Sequence, residues 1–370
     1  MRVGGARGVE RRRPALLAMS LAAFGWGCGA PLIETCEAEG DARPVCEFRN
    51  PEDLALLPDG ARVLVSEFGA LDGSRDGWIS VYDTATGTRR VLFRGGDAPG
   101  APAPWGDPAC PGPPERLSPH GIHLGRRPDG AWQLAVVQHA GRESIELFEV
   151  ERADQPEVAL AWRGCLLAPD TAWLNDVVTL PDGGLLFTRM LARREGVGGI
   201  LEMIRGAALG ADTGWVIEWT RDGSYRELPG TRAPLANGIE LSRDGRWIYL
   251  NVSGANEVRR IDRETGEIAA RGAVPGPDNS TWAPDGSLLV ASLTGGLGDL
   301  AGCQDLESGQ CGAPFEIVAL DPDTLARRGV LYRGEGRPPM GGGTVGLRVG
   351  DDLLIGTFAG DRILRVAVAD

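Results

Sequence analysis

The stretch Glu52-Asp53-Leu54-Ala55-Leu56-Leu57-Pro58-Asp59-Gly60-Ala61-Arg62-Val63-Leu64-Val65 decides the fold. It reads as a polar pair, a short apolar strand, a Pro-Asp-Gly turn and a second apolar strand, the signature of one β-hairpin. The same phrase returns as Asn175-Asp176 to Pro181-Asp182-Gly183, Asn237-Gly238 to Arg243-Asp244-Gly245, and Asp278-Asn279 to Pro284-Asp285-Gly286. In all four copies the first residue of the pair lies eight positions before the turn glycine. A fifth copy, His120-Gly121 to Pro128-Asp129-Gly130, is two residues longer. A degenerate sixth runs from Gly343-Thr344-Val345 through Gly350-Asp351 to Leu353-Leu354-Ile355-Gly356.

Second hairpins lie between the copies, as at Val81-Tyr82-Asp83 to Thr86-Gly87 and Ile261-Asp262 to Thr265-Gly266. Each unit therefore offers four short strands, repeating on average every ~58 residues, and four-stranded units at such a period build propellers. The reading is all-β: a six-bladed β-propeller as a single domain over residues 28–370. The heavy punctuation by 55 Gly and 26 Pro agrees with it. A doubly wound α/β fold needs a long amphipathic helix between strands. One segment, about Gly199 to Gly210 with Ile200, Met203, Ile204 and Ala207 on one side, can form a helix; it interrupts the third blade and is read as a lid.

The equal spacing puts Glu52, Asn175, Asn237 and Asp278 at one equivalent position in four blades. The innermost strand of a propeller blade lines the central tunnel, so these side chains are expected to converge near the axis. With Asn279 they offer five oxygen donors and two negative charges, which suits calcium. Asp53 and Asp176, one position further on, with the Ile122 carbonyl, form a second and deeper donor set. A lone Asn or Asp at a strand mouth normally caps a turn; four in identical register, all oxygen donors, argue for a cation. Of the three histidines, His120 begins an inner strand and His139 ends the strand beside it, so a His–His hydrogen bond can orient one ring as a base. His123 is read as a packing or surface residue.

The charge and cysteine pattern bound the setting. All 38 basic residues are arginines, which excludes a Schiff-base lysine. The net charge of −13 argues against a nucleic-acid partner. Residues 1–27 read as a targeting segment, with Arg2, Arg7 and Arg11 to Arg13 before the apolar Ala15 to Gly27, too short to span a bilayer. Cys28 stands where a bacterial lipoprotein carries its lipid, although Gly25-Trp26-Gly27 is a poor lipobox. Local pairing of Cys36 with Cys46 and Cys303 with Cys311 leaves Cys110 for Cys165, one connectivity among those six cysteines allow. The spacings match no zinc site, so the chain is expected outside the cytoplasm: periplasmic, secreted or lipid-anchored.

The residues resemble the paraoxonase family over essentially the whole chain after residue 27. The motifs are Pro51-Glu52-Asp53-Leu54, Ser118-Pro119-His120-Gly121-Ile122, Val136-Val137-Gln138-His139 with Ile145-Glu146-Leu147-Phe148, Leu174-Asn175-Asp176-Val177, Ala236-Asn237-Gly238-Ile239, Asp278-Asn279, and Gly343-Thr344-Val345 with Leu353-Leu354-Ile355-Gly356-Thr357. More loosely, they are similar to the gluconolactonase and senescence-marker propellers, which use one metal and lack the His pair. The first resemblance implies two calcium ions. A catalytic ion is held by Glu52, Asn175, Asn237, Asp278 and Asn279, and a structural one by Asp53, Asp176 and the Ile122 carbonyl. It implies hydrolysis of small lactones and aryl esters; the mechanism read for it has the calcium polarising the carbonyl and His120, oriented by His139, activating water, with Glu52 or Asp278 beside the metal as the alternative base. No G-x-S-x-G elbow offers a serine nucleophile. The alternatives are a non-catalytic calcium-stabilised propeller that binds a partner, and a one-metal sugar lactonase. Three features depart from the paraoxonase pattern: Phe187-Thr188-Arg189-Met190 replaces acidic residues, Leu191 to Trp219 has its own sequence, and no cysteine follows Cys311 to tie the chain ends.

Protein recovered from its native compartment should lie outside the cytoplasm and expose no free thiol at Cys36, Cys46, Cys110, Cys165, Cys303 or Cys311 when unfolded in a thiol-reactive dye. Six titratable thiols would refute the oxidised reading. Labelling with a palmitate analogue that disappears in Cys28→Ser would establish the lipid anchor.

Overall fold

The computed structural model describes Met1 and residues 30–368, except 71–74, 98–104, 170, 195–196, 297–298, 300–302, 304–305 and 307. The targeting segment beyond Met1 and the lipidation candidate Cys28 lie outside the described residues. The repeated Pro-Asp-Gly phrase forms the turn expected of it. Asp59, Asp182 and Asp285 each accept a backbone N–H two residues on, at 3.1, 2.9 and 2.9 Å. The turn glycines Gly60, Gly183 and Gly286 take φ of 73°, 88° and 84°, a region a side chain disfavours.

The hairpins assemble into six blades of four antiparallel strands in chain order, the second blade adding a short parallel edge strand at Trp105–Gly106. Their inner strands are Pro51–Leu56, Pro119–Arg126, Ala172–Thr179, Ala236–Leu241, Pro277–Trp282 and Gly343–Val349, one in each blade from the first to the sixth. Each inner strand neighbours the inner strands of the blades before and after it, and the sixth returns to the first, so the ring is closed. An apolar layer fills each gap between successive blades. Between blades one and two it contains Leu64, Ile79, Phe93 and Phe148; between five and six, Leu289, Phe315, Ile317 and Ile355. Strands of a blade are apolar on both faces because both faces are covered, and closure removes the exposed sheet faces an open stack would leave.

The last blade is completed by the beginning of the chain. Ala42–Cys46 pairs antiparallel with Arg362–Ala367, Ala42 opposite Val366 and Cys46 opposite Arg362. Hydrogen bonding between these two strands closes the ring. Arg362 secures this seam: wholly buried, it donates to the carbonyls of Thr35, Pro339 (3.1 Å) and Ile33 (3.3 Å) and pairs with Asp361. The disulfides are Cys36–Cys46, Cys110–Cys165 and Cys303–Cys311, as read from the spacings. They are compatible with an exported protein. No described helix is long and apolar enough to cross a membrane.

The expected helix is present as α1, Val197–Ala207, between the second and third strands of blade three. Its orientation was not foreseen. Val197, Ile200, Leu201, Met203 and Ile204 are exposed, whereas Glu202 and Gly206 face inward. Glu202 is satisfied by Arg194 at 3.2 Å and Arg205 at 3.1 Å. The glycine permits the close approach: a Cβ at Gly206 would stand 2.6 Å from Leu235.

Arg362→Met should lower unfolding stability in urea by about 3 kcal/mol, the order expected when buried carbonyl acceptors lose their donors. A midpoint shift too small to resolve would show that the strand pairing alone holds the seam.

Candidate functional site

The site is built on one backbone irregularity repeated in every blade. Pairing between the first and second strands slips between Pro51 and Asp53, Pro119 and Ile122, Leu174 and Val177, Ala236 and Ile239, Pro277 and Ser280, and Gly343 and Val345. These are β-bulges, and each falls on the polar pair of its blade. Strict alternation sends consecutive side chains to opposite faces. The bulge suspends that rule, so Glu52 and Asp53, Asn175 and Asp176, and Asp278 and Asn279 are all buried at the axis. In blade two the slip lies between Pro119 and Ile122, so strict alternation does not decide which of His120, Gly121 and Ile122 faces the tunnel.

Blades two and four carry glycine as the second member of the pair. A Cβ at Gly121 would stand 2.5 Å from Asp176 Oδ1, and one at Gly238 would stand 2.2 Å from the Asp278 carbonyl and 2.9 Å from the Asn279 Cα. Each glycine thus makes room for the next blade's pair.

Two of the expected donors meet directly. Asn279 Nδ2 of blade five donates to Glu52 Oε1 of blade one at 2.7 Å. Those blades are not neighbours, so the bond crosses the tunnel. Asn175 Nδ2 reaches Met190 Sδ at 3.7 Å, and the Asn237 side chain beside Asp278 favours the Asp278 carboxylate. Asn279 and Asn175 thereby spend their N–H₂ groups on a neighbour. The oxygens are left over: Glu52 Oε2, Asn175 Oδ1, Asn237 Oδ1 and Asn279 Oδ1 are buried without a hydrogen-bond partner. Buried polar atoms without partners are rare and costly. Four such acceptors at the bulged mouths of four inner strands, with the Asp278 carboxylate on one of those strands, make an oxygen-only set that suits a hard divalent cation. No group of three or more His, Cys, Asp and Glu with metal-holding geometry occurs among the described residues; most donors in this ring are amides.

The deeper pair is wired differently. Asp53 accepts N–H bonds from Leu54 at 2.8 Å and from Ile122 of blade two at 2.7 Å. Asp176 accepts from Val177 at 2.7 Å and from Ile239 of blade four at 2.8 Å. These carboxylates therefore staple neighbouring blades. Ile122 is tied into this level through its N–H. Burial pushes Asp53 and Asp278 up to about 7, and burial, then the neighbouring carboxylates, holds Glu52 and Asp176 well above the usual range. The sequence reading missed Glu240, which is buried, pushed up to about 8 by burial, and feels Asp53. Its signal was an acidic residue three positions after Asn237 on an inner strand.

The two histidines meet as expected. His120 Nδ1 lies 2.9 Å from His139 Nε2, and His120 Nε2 lies 3.6 Å from Glu52 Oε1. Burial, then His139, holds the His120 pKa well below its ordinary value. Phe68 packs on His120 at 4.8 Å, and Trp173 stacks on His139 at 4.7 Å and 23°. His123 is half-buried and bonds Thr179 Oγ1 at 2.9 Å, as a packing residue should. In the departing strand, Thr188 Oγ1 accepts the Asp176 N–H at 3.0 Å and Arg189 stacks on Trp215 at 3.9 Å. A hollow of about 310 Å³ beside Arg189, Trp215 and Tyr225 shares no residue with the ring.

The comparisons agree with this architecture. A family model described as SMP-30/gluconolactonase/LRE-like region matches residues 140–296. A comparison with curated proteins finds no match. Among solved structures, the chain is similar to a gluconolactonase from Xanthomonas campestris at 15% identity and TM-score 0.52, over 93% of this chain and 96% of that one. It is also similar to a luciferin-regenerating enzyme at 14% and 0.51, over 92% and 95%. A putative gluconolactonase matches at 16% and 0.51, over 91% and 98%. At such identity these likenesses speak to the fold, and the chain is a six-bladed β-propeller.

Proposed function

We propose that the chain is a calcium-dependent hydrolase of small lactones, with aryl esters as a second substrate class. The observation that carries this reading is the set of four buried, unpartnered oxygens beside a hydrogen-bonded histidine pair. In this reading Glu52, Asn175, Asn237, Asp278 and Asn279 hold one ion. Asp53, Asp176 and the Ile122 carbonyl hold a second, with Glu240 adding a carboxylate to that level. Calcium bound in the upper set supplies Lewis acidity toward a carbonyl oxygen and charge for the buried carboxylates. His120 accepts a proton from water at Nε2, its ring held by Phe68 and by the bond to His139. α1 in blade three is the lid, and the protein works outside the cytoplasm, periplasmic, secreted or tethered through Cys28.

The match to the gluconolactonase-type family model favours a narrower variant, a one-metal sugar lactonase. Hydrolysis of a sugar lactone, an aliphatic lactone and phenyl acetate, each with and without chelator, separates the variants. Hydrolysis of none of them, with calcium bound, would leave a calcium-stabilised binding propeller.

Calcium at a hundredfold excess over its Kd should stabilise the protein by about 2.7 kcal/mol, read as a rise in Tm that chelation reverses. An unchanged melting curve and no calcium by elemental analysis would remove the metal claim. Glu52→Gln and Asn237→Ala should abolish hydrolysis, with partial rescue at high calcium, whereas Asp53→Ala should lower Tm more than activity. His120→Gln should keep the calcium-induced rise in Tm and lower kcat by roughly two to four orders of magnitude.

A further inference from the structure

We infer that Glu143 is a positioning residue that sets the tautomers of His139 and, through it, of His120, so that His120 presents a bare Nε2 to the tunnel. The inference rests on the reading above, in which His120 handles a proton, and extends it to a residue outside the ring.

His139 Nδ1 lies 2.9 Å from Glu143 Oε1 and 3.0 Å from Oε2. The Glu143 carboxylate also accepts the Leu174 N–H at 2.7 Å and an Arg193 guanidinium N–H at 2.9 Å, so both of these neighbours are donors. An ionised carboxylate only accepts, so the facing Nδ1 must carry the hydrogen. A neutral imidazole has one N–H, which leaves His139 Nε2 as an acceptor. The group 2.9 Å from it is His120 Nδ1, which must therefore donate. That spends the single hydrogen of a neutral His120, and its Nε2 is left with a free lone pair on the side of Glu52.

Packing and hydrogen bonding divide the work. Phe68 and Trp173 fix where the two rings lie. They do not distinguish one ring nitrogen from the other. Glu143 is the group at the end of the chain that does, and setting a tautomer through the remote nitrogen is how a carboxylate makes a neighbouring histidine a competent base.

The chain's three histidines make the test direct. Long-range ¹H–¹⁵N spectra of the full chain labelled in histidine, recorded with and without calcium, assign each ring's tautomer. His139 and His120 should both be Nδ1–H. His123, whose Nδ1 accepts the Thr179 N–H at 3.3 Å, should be Nε2–H and serves as the internal control. In Glu143→Leu, the His139 and His120 tautomers should change while His123 keeps its own, and kcat should fall about tenfold to a hundredfold at constant KM. Glu143→Gln, whose amide oxygen can still accept from Nδ1–H, should restore the wild-type tautomers. A doubly protonated His139, an Nε2–H His120 in the wild type, or unchanged tautomers in Glu143→Leu would overturn the inference. So would full turnover in Glu143→Leu where His120→Gln is inactive. If the wild type hydrolyses no substrate, the functional reading fails, and the spectra alone decide the role of Glu143.

Discussion

The bulge at the mouth of each inner strand is the constraint on which the rest of this molecule depends. A regular strand sends one residue of every consecutive pair to the tunnel and the other into the sheet face. A slip of the ladder at the pair lets both reach the axis, which is how Glu52 with Asp53 and Asp278 with Asn279 are buried there together. It also frees backbone N–H groups from the ladder, and these are not left unmet. Asp53 takes the Ile122 N–H and Asp176 takes the Ile239 N–H, each from the following blade. One local irregularity therefore concentrates donors at the axis and joins the blades that supply them.

That concentration is electrostatically expensive. Glu52, Asp53, Asp176, Glu240 and Asp278 are all buried, and burial raises the pKa of every one. Backbone bonds compensate Asp53 and Asp176. They do not reach Glu52 Oε2 or the three amide oxygens, which have no partner. Natural interiors rarely tolerate such atoms, and an oxygen-rich site relieved by a cation removes the anomaly in one step. The upper ring and the lower pair thus differ in kind: one lacks partners, whereas the other serves as a staple.

Closure is solved by strand pairing. Six wedges with apolar faces leave two faces bare unless the first and last meet, and Ala42–Cys46 seals them by pairing with Arg362–Ala367. The Arg362 side chain gathers the carbonyls of Thr35, Ile33 and Pro339 where these segments cross. A buried guanidinium with several carbonyl acceptors performs the task that the missing terminal disulfide suggested was undone.

Blade number, turn positions and the equivalent placing of Glu52, Asn175, Asn237 and Asp278 at the mouths of four inner strands were legible in the sequence, because repetition of a short phrase fixes register without any knowledge of the third dimension. Two disulfides were suggested by locality, Cys36–Cys46 and Cys303–Cys311, and Cys110–Cys165 was the pair left over. What the sequence did not contain was geometry that arises only between blades. The bulges are invisible to alternation. Glu240 and Glu143 carry no repeat; the first matters because the tunnel brings it near Asp53, and the second because a turn places it against His139. The outward apolar face of α1 was not legible either, for Gly206 packs so closely on Leu235 that the polar stripe with Glu202 is the one turned inward. Local repetition determined the frame, and contacts between distant segments decided which atoms face one another inside it.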